Sequence, residues 1–175
     1  ALETTGQGLA WQRQHLPEQS ALLRVVLNIG CGTADALPKR PLMGSLIANM
    51  LALRRAMAFE LHLSGAAFEA DVNAEFVGAF RQELAQAGLQ CAVFDWAGKS
   101  TLSELTGLLS AAGLVITTDS GPYHMAVGLG IPTVCWFNFD TPASYHRKSL
   151  FSTNPPCHEG SRPIARPLPA WSRRG

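Results

Sequence analysis

The feature that most constrains the fold is a regular alternation of short apolar runs with longer segments of helical spacing. The apolar runs have the length and composition of buried strands, and each is followed by an amphipathic segment or a capped helix start. Parallel strands need crossover connections, so this alternation is typical of a parallel sheet covered by helices. The predicted strands are residues 22–29, 59–63, 89–94, 114–118 and 133–137, and the predicted helices begin near Ser45, Asp71, Thr101 and Ser120.

The predicted fold class is therefore α/β, a Rossmann-like parallel sheet with helices on both faces. Asp71 is expected to cap the second helix, which Gly88 ends. Thr101 is expected to cap the third helix, because Glu104 follows it at capping-box spacing. In sheets of this class ligands bind at the carboxyl ends of the strands, so the loops at that edge are the candidate site.

The chain has 175 residues, 47% of them apolar, which is enough for one domain with a hydrophobic core. Residues 1–21 are polar and weakly patterned, and we predict a linker or the end of a preceding element. Residues 22–150 are predicted to form the Rossmann-like domain, and residues 151–175 an irregular tail rich in Pro and Arg. The start at Ala1, without Met, is compatible with a processed or excised piece.

Composition argues against several classes of protein. A net charge of +1 gives no electrostatic argument for nucleic acid binding. No apolar run approaches the roughly 20 residues of a membrane span, and no signal peptide is visible. The four cysteines lack CxxC spacing and fit a reduced, cytoplasmic setting. Cys157 and His158, with His146, match no zinc pattern, so no metal site is expected.

The richest motif is residues 117–124, where the fourth predicted strand turns directly into a helix. Ser120 and Gly121 suit the helix cap, and Pro122 suits its first turn. Free backbone N–H groups and the positive end of the helix dipole attract phosphate at such a point. His124 follows Ser120 by four residues, so both side chains can face the same ligand. The alternative is a tight, capped turn that binds nothing.

The first predicted strand ends in a second glycine motif, Gly30-Cys31-Gly32. Here the backbone can approach a ligand closely, and Thr33 and Lys39 can donate to phosphate. A strand ending in G-x-G also opens the S-adenosylmethionine site of many methyltransferases. That alternative is less favoured, because prolines interrupt the entry to the following helix and the next strand does not end in an acid.

Together these residues resemble the inverting glycosyltransferases of the lipopolysaccharide heptosyltransferase family, known as glycosyltransferase family 9. The resemblance covers about residues 25–141 and is most specific over residues 110–137. There Asp119-Ser120-Gly121-Pro122-Tyr123-His124-Met125-Ala126 is similar to the family signature D-[ST]-G-x-x-H-x-[AT]. The resemblance implies the C-terminal, donor-binding half of a two-domain GT-B fold.

The resemblance also implies roles for the matched residues. Thr33 and Lys39 would hold phosphate, and the signature would contact the diphosphate and sugar of a nucleotide-sugar donor. Gly65 and Ala66 would line the nucleotide, and Glu69 would serve as the ribose-binding acid. Residues 99–102, including Thr101, would border the base. The signature residues with these roles are Asp119, Ser120, Gly121 and His124.

The activity implied is transfer of a sugar from an ADP- or UDP-sugar in the synthesis of lipopolysaccharide or a related cell-surface glycan. No cofactor is expected, because the nucleotide sugar is the substrate. The catalytic base and the site for a glycan or lipid-linked acceptor would lie in an N-terminal half that is missing here. This chain would then be inactive alone, in the cytoplasm or at the inner face of the membrane. A second hypothesis is a non-catalytic domain of the same fold that serves as a binding scaffold.

Overall fold

The structure is a computed structural model that describes residues 2–16, 20–32 and 40–136. Within these ranges one sheet contains five strands, all parallel, in the order β3-β2-β1-β4-β5. This order confirms the predicted Rossmann-like class, and it places the topological switch point between β1 and β4. The strands are β1 (Leu23–Asn28), β2 (Phe59–Ser64), β3 (Val93–Asp95), β4 (Leu114–Thr118) and β5 (Thr133–Trp136).

The helices agree with the predicted alternation, and one additional helix precedes the sheet. A single 3₁₀ turn, Ala67–Glu69, leads into the third helix. The helices are α1 (Gly6–His15), α2 (Met43–Ala56), α3 (Ala70–Gln86), α4 (Leu102–Ser110) and α5 (Gly121–Gly128). The capping box of α4 is confirmed: the Thr101 hydroxyl accepts from the N–H of Glu104 at 3.3 Å, and the Glu104 carboxylate accepts from the N–H of Thr101 at 2.7 Å.

Several predicted boundaries differ from the structure by one or two residues, and two differences need an explanation. The third strand covers Val93–Asp95 instead of residues 89–94, because only this part pairs with β2. Asp71 does not cap α3, since the 3₁₀ turn moves the cap back to Glu69. Asp71 lies in the first turn instead, where a carboxylate still interacts favourably with the helix dipole.

The sheet is covered on both faces, and alternate residues of each strand point to different helices. On one face, α2 and α3 pack on β1, β2 and β4 through a cluster that includes Leu27, Leu61 and Phe76. On the other face, α1, α4 and α5 pack around Val26 and Val115. Among the described helices, none is long and apolar enough to span a membrane.

The first 21 residues contain a helix where the sequence predicts a linker or the end of a preceding element. Trp11 of α1 is only 5% exposed and packs with the α4 side of the core. Helices α1 and α4 touch at Gly8 and Gly107, where an added Cβ on Gly8 would lie 2.6 Å from the backbone oxygen of Ser103. This packing makes α1 part of the hydrophobic core. The predicted tail, residues 151–175, lies outside the described residues.

Candidate functional site

The carboxyl ends of the strands meet at one edge of the sheet. The sequence-predicted site residues within the described ranges lie on the loops of this edge and on the helical turns that follow them. Because β1 and β4 are neighbours, the first glycine loop lies beside the β4–α5 junction. The Thr118 hydroxyl donates to the backbone oxygen of Gly30, which joins the two segments directly. The structure therefore brings together the two motifs for which the sequence predicts phosphate binding.

Ser120 is the N-cap residue of α5, with an extended backbone at φ −154° and ψ 178°, and Pro122 lies in the first turn. Its hydroxyl group, however, does not accept from the N–H groups of α5, all of which are described. The Ser120 oxygen points back towards the sheet, 3.2 Å from the backbone oxygen of Thr118 and 3.4 Å from Oδ1 of Asn28. The space over the helix end is therefore not taken by the serine side chain.

The other signature residues differ in exposure. Asp119 is half-buried, and its N–H donates to the backbone oxygen of Trp136 in β5 at 3.2 Å. Gly121 and His124 are exposed. The His124 ring stacks edge-on against buried Tyr123, with ring centroids 5.1 Å apart. An acid, a helix start and an imidazole thus lie within six consecutive residues at the edge of the sheet.

Glu69 bridges the first and second loops of this edge. It is 4% exposed, and its two carboxylate oxygens accept from the N–H of Ala66 at 2.8 Å and of Gly32 at 3.3 Å. A Cβ at Gly30 would overlap this carboxylate, and one at Gly65 would lie 3.3 Å from Cβ of Glu69. The two glycines therefore provide the room that Glu69 occupies. The ribose role implied for Glu69 stays a prediction.

The loop after β3 lies beside the second loop. The N–H of Gly98 donates to the backbone oxygen of Gly65 at 2.9 Å, and an added Cβ on Gly98 would lie 2.8 Å from Cα of Ala67. Thr101, exposed at the start of α4, is used in the capping box. Leu102 next to it is 72% exposed. The residues predicted to border the base therefore stand at the same edge, on the β2–β3 side.

Sequence reasoning missed a row of polar residues beneath the loops. Nδ2 of Asn28 lies 3.4 Å from Oγ of Ser64, and Oδ1 of Asn28 lies 3.5 Å from Oγ1 of Thr117. Asn28 and Ser64 are the last residues of β1 and β2, and Thr117 is the residue of β4 that pairs with Asn28. A search for polar residues near the ends of buried strands could have found this row. We name the row the polar belt; its members are Asp95, Asn73, Ser64, Asn28, Thr117 and Ser120.

Two predicted phosphate ligands, Thr33 and Lys39, lie outside the described residues. Among the residues that the structure describes, no group of three His, Cys, Asp or Glu side chains is placed to hold a metal ion. In the signature, the side chains of Asp119 and His124 lie at the positive end of α5.

The fold defines an α/β domain of the Rossmann-like class with its switch point between β1 and β4, where sheets of this class bind ligands. Sequence comparison shows which family this part of the chain resembles. The sequence model described as glycosyltransferase family 9 (heptosyltransferase) matches residues 69–150. The lipopolysaccharide core heptosyltransferase OpsX of Haemophilus influenzae is 41% identical over 46 residues, which are 26% of this chain and 13% of that protein. The resemblance to glycosyltransferase family 9 is therefore confirmed.

Solved structures agree on the fold. The ADP-heptose lipopolysaccharide heptosyltransferase II of E. coli superposes with a TM-score of 0.61 at 21% identity, over 77% of this chain and 38% of that one. The glycosyltransferase family 9 protein of Veillonella parvula gives a TM-score of 0.60 at 19% identity, over 78% of this chain and 36% of that one. The chain thus spans little more than a third of these structures.

Proposed function

We propose that this chain is the donor-binding domain of an inverting glycosyltransferase of lipopolysaccharide or related cell-surface glycan synthesis. The observation that carries the proposal is the position of the signature. Asp119, Ser120 and His124 surround the start of α5, directly beside the Gly30 loop at the switch point of the sheet. The match of residues 69–150 to the family supports the same conclusion.

The chemistry of the junction suits a nucleoside diphosphate. Sugar transfer releases this group, so the negative charge that develops on it must be stabilised. The positive end of α5 and the exposed imidazole of His124 supply such stabilisation, and Lys39 would add a cation. The carboxylate of Asp119 suits the hydroxyl groups of the sugar, which can donate to it, better than phosphate, which would repel it.

The remaining parts of the proposal depend on the relatives. The E. coli neighbour is an ADP-heptose heptosyltransferase, which favours an ADP-sugar over a UDP-sugar as the donor. The acceptor, a glycan or a lipid-linked sugar, and the catalytic base would belong to a second domain. An enzyme that transfers a sugar to such an acceptor would act in the cytoplasm, at the inner face of the membrane.

An NMR titration of the chain tests donor binding. ADP and UDP are added to millimolar concentration while the backbone amides are followed. We expect shifts at Ser120, Gly121, Gly30 and Gly32, larger with ADP, and little change at Gly78 on the exposed side of α3. The absence of shifts at these amides with both nucleotides would overturn the proposal. Shifts with S-adenosylmethionine alone would favour the methyltransferase instead.

A further inference from the structure

Glu69 is a buried carboxylate at the carboxyl edge of the sheet, and its two oxygens contact two different loops. Oε2 accepts from the N–H of Ala66 at 2.8 Å, and Oε1 accepts from the N–H of Gly32 at 3.3 Å. The first contact is local, since Ala66 directly precedes the 3₁₀ turn that ends with Glu69. The second spans 37 positions and joins the loop after β1 to the loop after β2. Only this second contact bears on the position of the first glycine loop, residues 30–32.

The glycine loop is shaped to receive this carboxylate. An added Cβ on Gly30 would overlap the carboxylate of Glu69, so the backbone at Gly30 lies directly against it. Gly32 has a φ of +82°, which favours glycine, although an added Cβ there would meet nothing within 4 Å. Glycine at position 30 therefore leaves room for the carboxylate, and glycine at position 32 allows the backbone turn whose N–H the carboxylate accepts from.

The other side of the glycine loop is held by β4. The Thr118 hydroxyl donates to the backbone oxygen of Gly30, and Thr118 ends β4 two positions before the N-cap residue of α5. At the far end of the loop, no other described residue accepts from the N–H of Gly32. The loop is thus fixed between Glu69 on one side and the β4–α5 junction on the other.

We propose that Glu69 is a positioning residue for the donor diphosphate, because its carboxylate holds the glycine loop in place beside the start of α5. This inference rests on the proposed function, in which the diphosphate binds at that point. A loop that is fixed before the ligand arrives need not be ordered on binding, which preserves affinity. The role differs from the ribose contact that the family resemblance implies, since the carboxylate is assigned to the protein backbone. Burial supports this assignment, because a residue only 4% exposed offers little surface to a ligand.

Two substitutions break the bridge in different ways. Glu69→Gln keeps the length of the side chain, but its NH₂ group cannot accept, so only one of the two N–H contacts can remain. Glu69→Asp keeps the charge, but it is one CH₂ group shorter and cannot reach both loops. Removing a negative charge near a diphosphate would by itself tighten binding. Weaker binding in both variants would therefore come from lost contacts and not from the change in charge.

The test compares two probes on the 175-residue chain: ADP, and 2′,3′-dideoxy-ADP, which lacks the ribose hydroxyl groups. A carboxylate that holds the loop serves both probes alike. We therefore expect both Kd values to rise about fivefold in each variant, with their ratio within about twofold of the wild-type ratio. A loss confined to ADP would show a ribose contact and would overturn the inference, as would unchanged affinity for both probes. Failure of the wild-type chain to bind either probe would instead overturn the proposed function.

Hydrogen exchange without ligand measures the bridge itself. Because the contact with Ala66 is local and shorter, both variants should keep it and lose the contact with Gly32. We expect the amide of Gly32 to exchange faster in each variant than in the wild type. An unchanged rate at Gly32 would overturn the inference even if ADP binding fell. Either variant is sufficient for these measurements if the other does not fold.

Phe80→Leu is the control for a loss of stability alone. Phe80 is buried in the core cluster under α3, ten residues after the start of that helix and therefore about 15 Å along it. The substitution should lower the urea midpoint, because it leaves a cavity in the core, and should leave the Kd values of both probes unchanged. A fivefold rise in these Kd values for Phe80→Leu would show that affinity simply follows stability, and it would overturn the inference.

Discussion

Two clusters of polar side chains connect strands β1 and β2, and they differ in charge. At the carboxyl edge lies the polar belt, whose Asn28 contacts are 3.4 to 3.5 Å long and which is neutral at its centre. Near the amino ends lies a charged cluster, in which Nε of Arg24 lies 2.7 Å from Oε1 of Glu60. We name it the charged cluster; its members are Ser20, Arg24, Glu60, His62 and Trp96.

We infer from this difference that the two clusters have separate roles, one in stability and one in the proposed ligand binding. Burial by itself raises the pKa of Glu60, but hydrogen bonds from Ser20, Arg24 and His62 outweigh it, and the pKa lies below its ordinary value. Glu60 therefore stays ionised and holds Arg24 between the two strands. The contacts of the belt include no ion pair. The positive end of α5 is therefore the main source of electrostatic potential that we expect at that edge of the sheet. We expect the cluster to determine stability and the belt to determine affinity.

The largest expected effect is on stability, from breaking the charged cluster. In Glu60→Gln the ion pair between Nε of Arg24 and Oε1 of Glu60 is lost, and we expect the free energy of unfolding to fall by about 3 kcal/mol. Urea denaturation measures it. Glu75→Gln, on the exposed face of α3, is the matched control, with an expected change below about 0.5 kcal/mol.

In the polar belt, Asn28→Ala should lower the free energy of unfolding by only about 1 kcal/mol. A loss equal to that of Glu60→Gln would contradict the comparison between the two clusters.

The fold was largely predictable from sequence, because each strand of a doubly wound sheet is a short apolar run that periodicity detects. The Thr101 capping box was predicted correctly, since it depends on local side-chain chemistry. The start of α5 at Ser120, with Pro122 in the first turn, was also predicted correctly, although the Ser120 hydroxyl does not cap the helix. Helix α1 was not predicted. Its burial depends on one tryptophan and on close approach at Gly8, and such a contact with α4 has no local signature.

Within the site, the sequence predicted which residues lie at the edge but not how they are held. Glu69 and Gly30 are 39 positions apart, and only the pairing of β1 with β2 brings the carboxylate over the glycine. Likewise, the hydroxyl of Ser120 lies 3.4 Å from Oδ1 of Asn28, 92 positions away, and does not cap its own helix. Long-range hydrogen bonds of this kind depend on sheet order, which a single sequence specifies only indirectly.

A smaller effect, on ligand binding more than on stability, is expected at the ligand edge. In Gly30→Ala the new methyl group would displace the carboxylate of Glu69, which holds the N–H groups of Ala66 and Gly32. We expect a loss of about 1 to 2 kcal/mol in unfolding free energy and a rise in the Kd for ADP of about tenfold or more, measured by calorimetry. The control is Gly78→Ala on exposed α3, which should stabilise the chain by about 0.5 kcal/mol and leave ADP affinity unchanged. Normal ADP affinity in Gly30→Ala would show that the Glu69 bridge does not shape the site.

The smallest expected effect is the pH dependence of the charged cluster. His62 is 1% exposed, and its Nδ1 accepts from Nε1–H of Trp96 at 3.0 Å while Nε2 faces Glu60 at 3.2 Å, so the neutral ring carries its proton on Nε2. Burial lowers the pKa of His62 below its ordinary 6.5, although Glu60 opposes this. The unfolded chain therefore takes up the proton first as the pH falls.

The sign follows from linkage. The stabilisation from neutral His62 is complete above pH 6.5 and is lost as the pH falls from 6.5 towards the lower pKa of the folded state. Glu60, whose pKa is also lowered, contributes fully above pH 4.5 and is lost as the pH falls further. Urea denaturation between pH 7.5 and 5 should therefore show a decline in wild type that is weaker in His62→Phe, which keeps a ring stacked on Phe94. Equal declines in both chains would mean that His62 takes up its proton as readily in the folded cluster as in the unfolded chain, and His62 would then not make the charged cluster sensitive to acid.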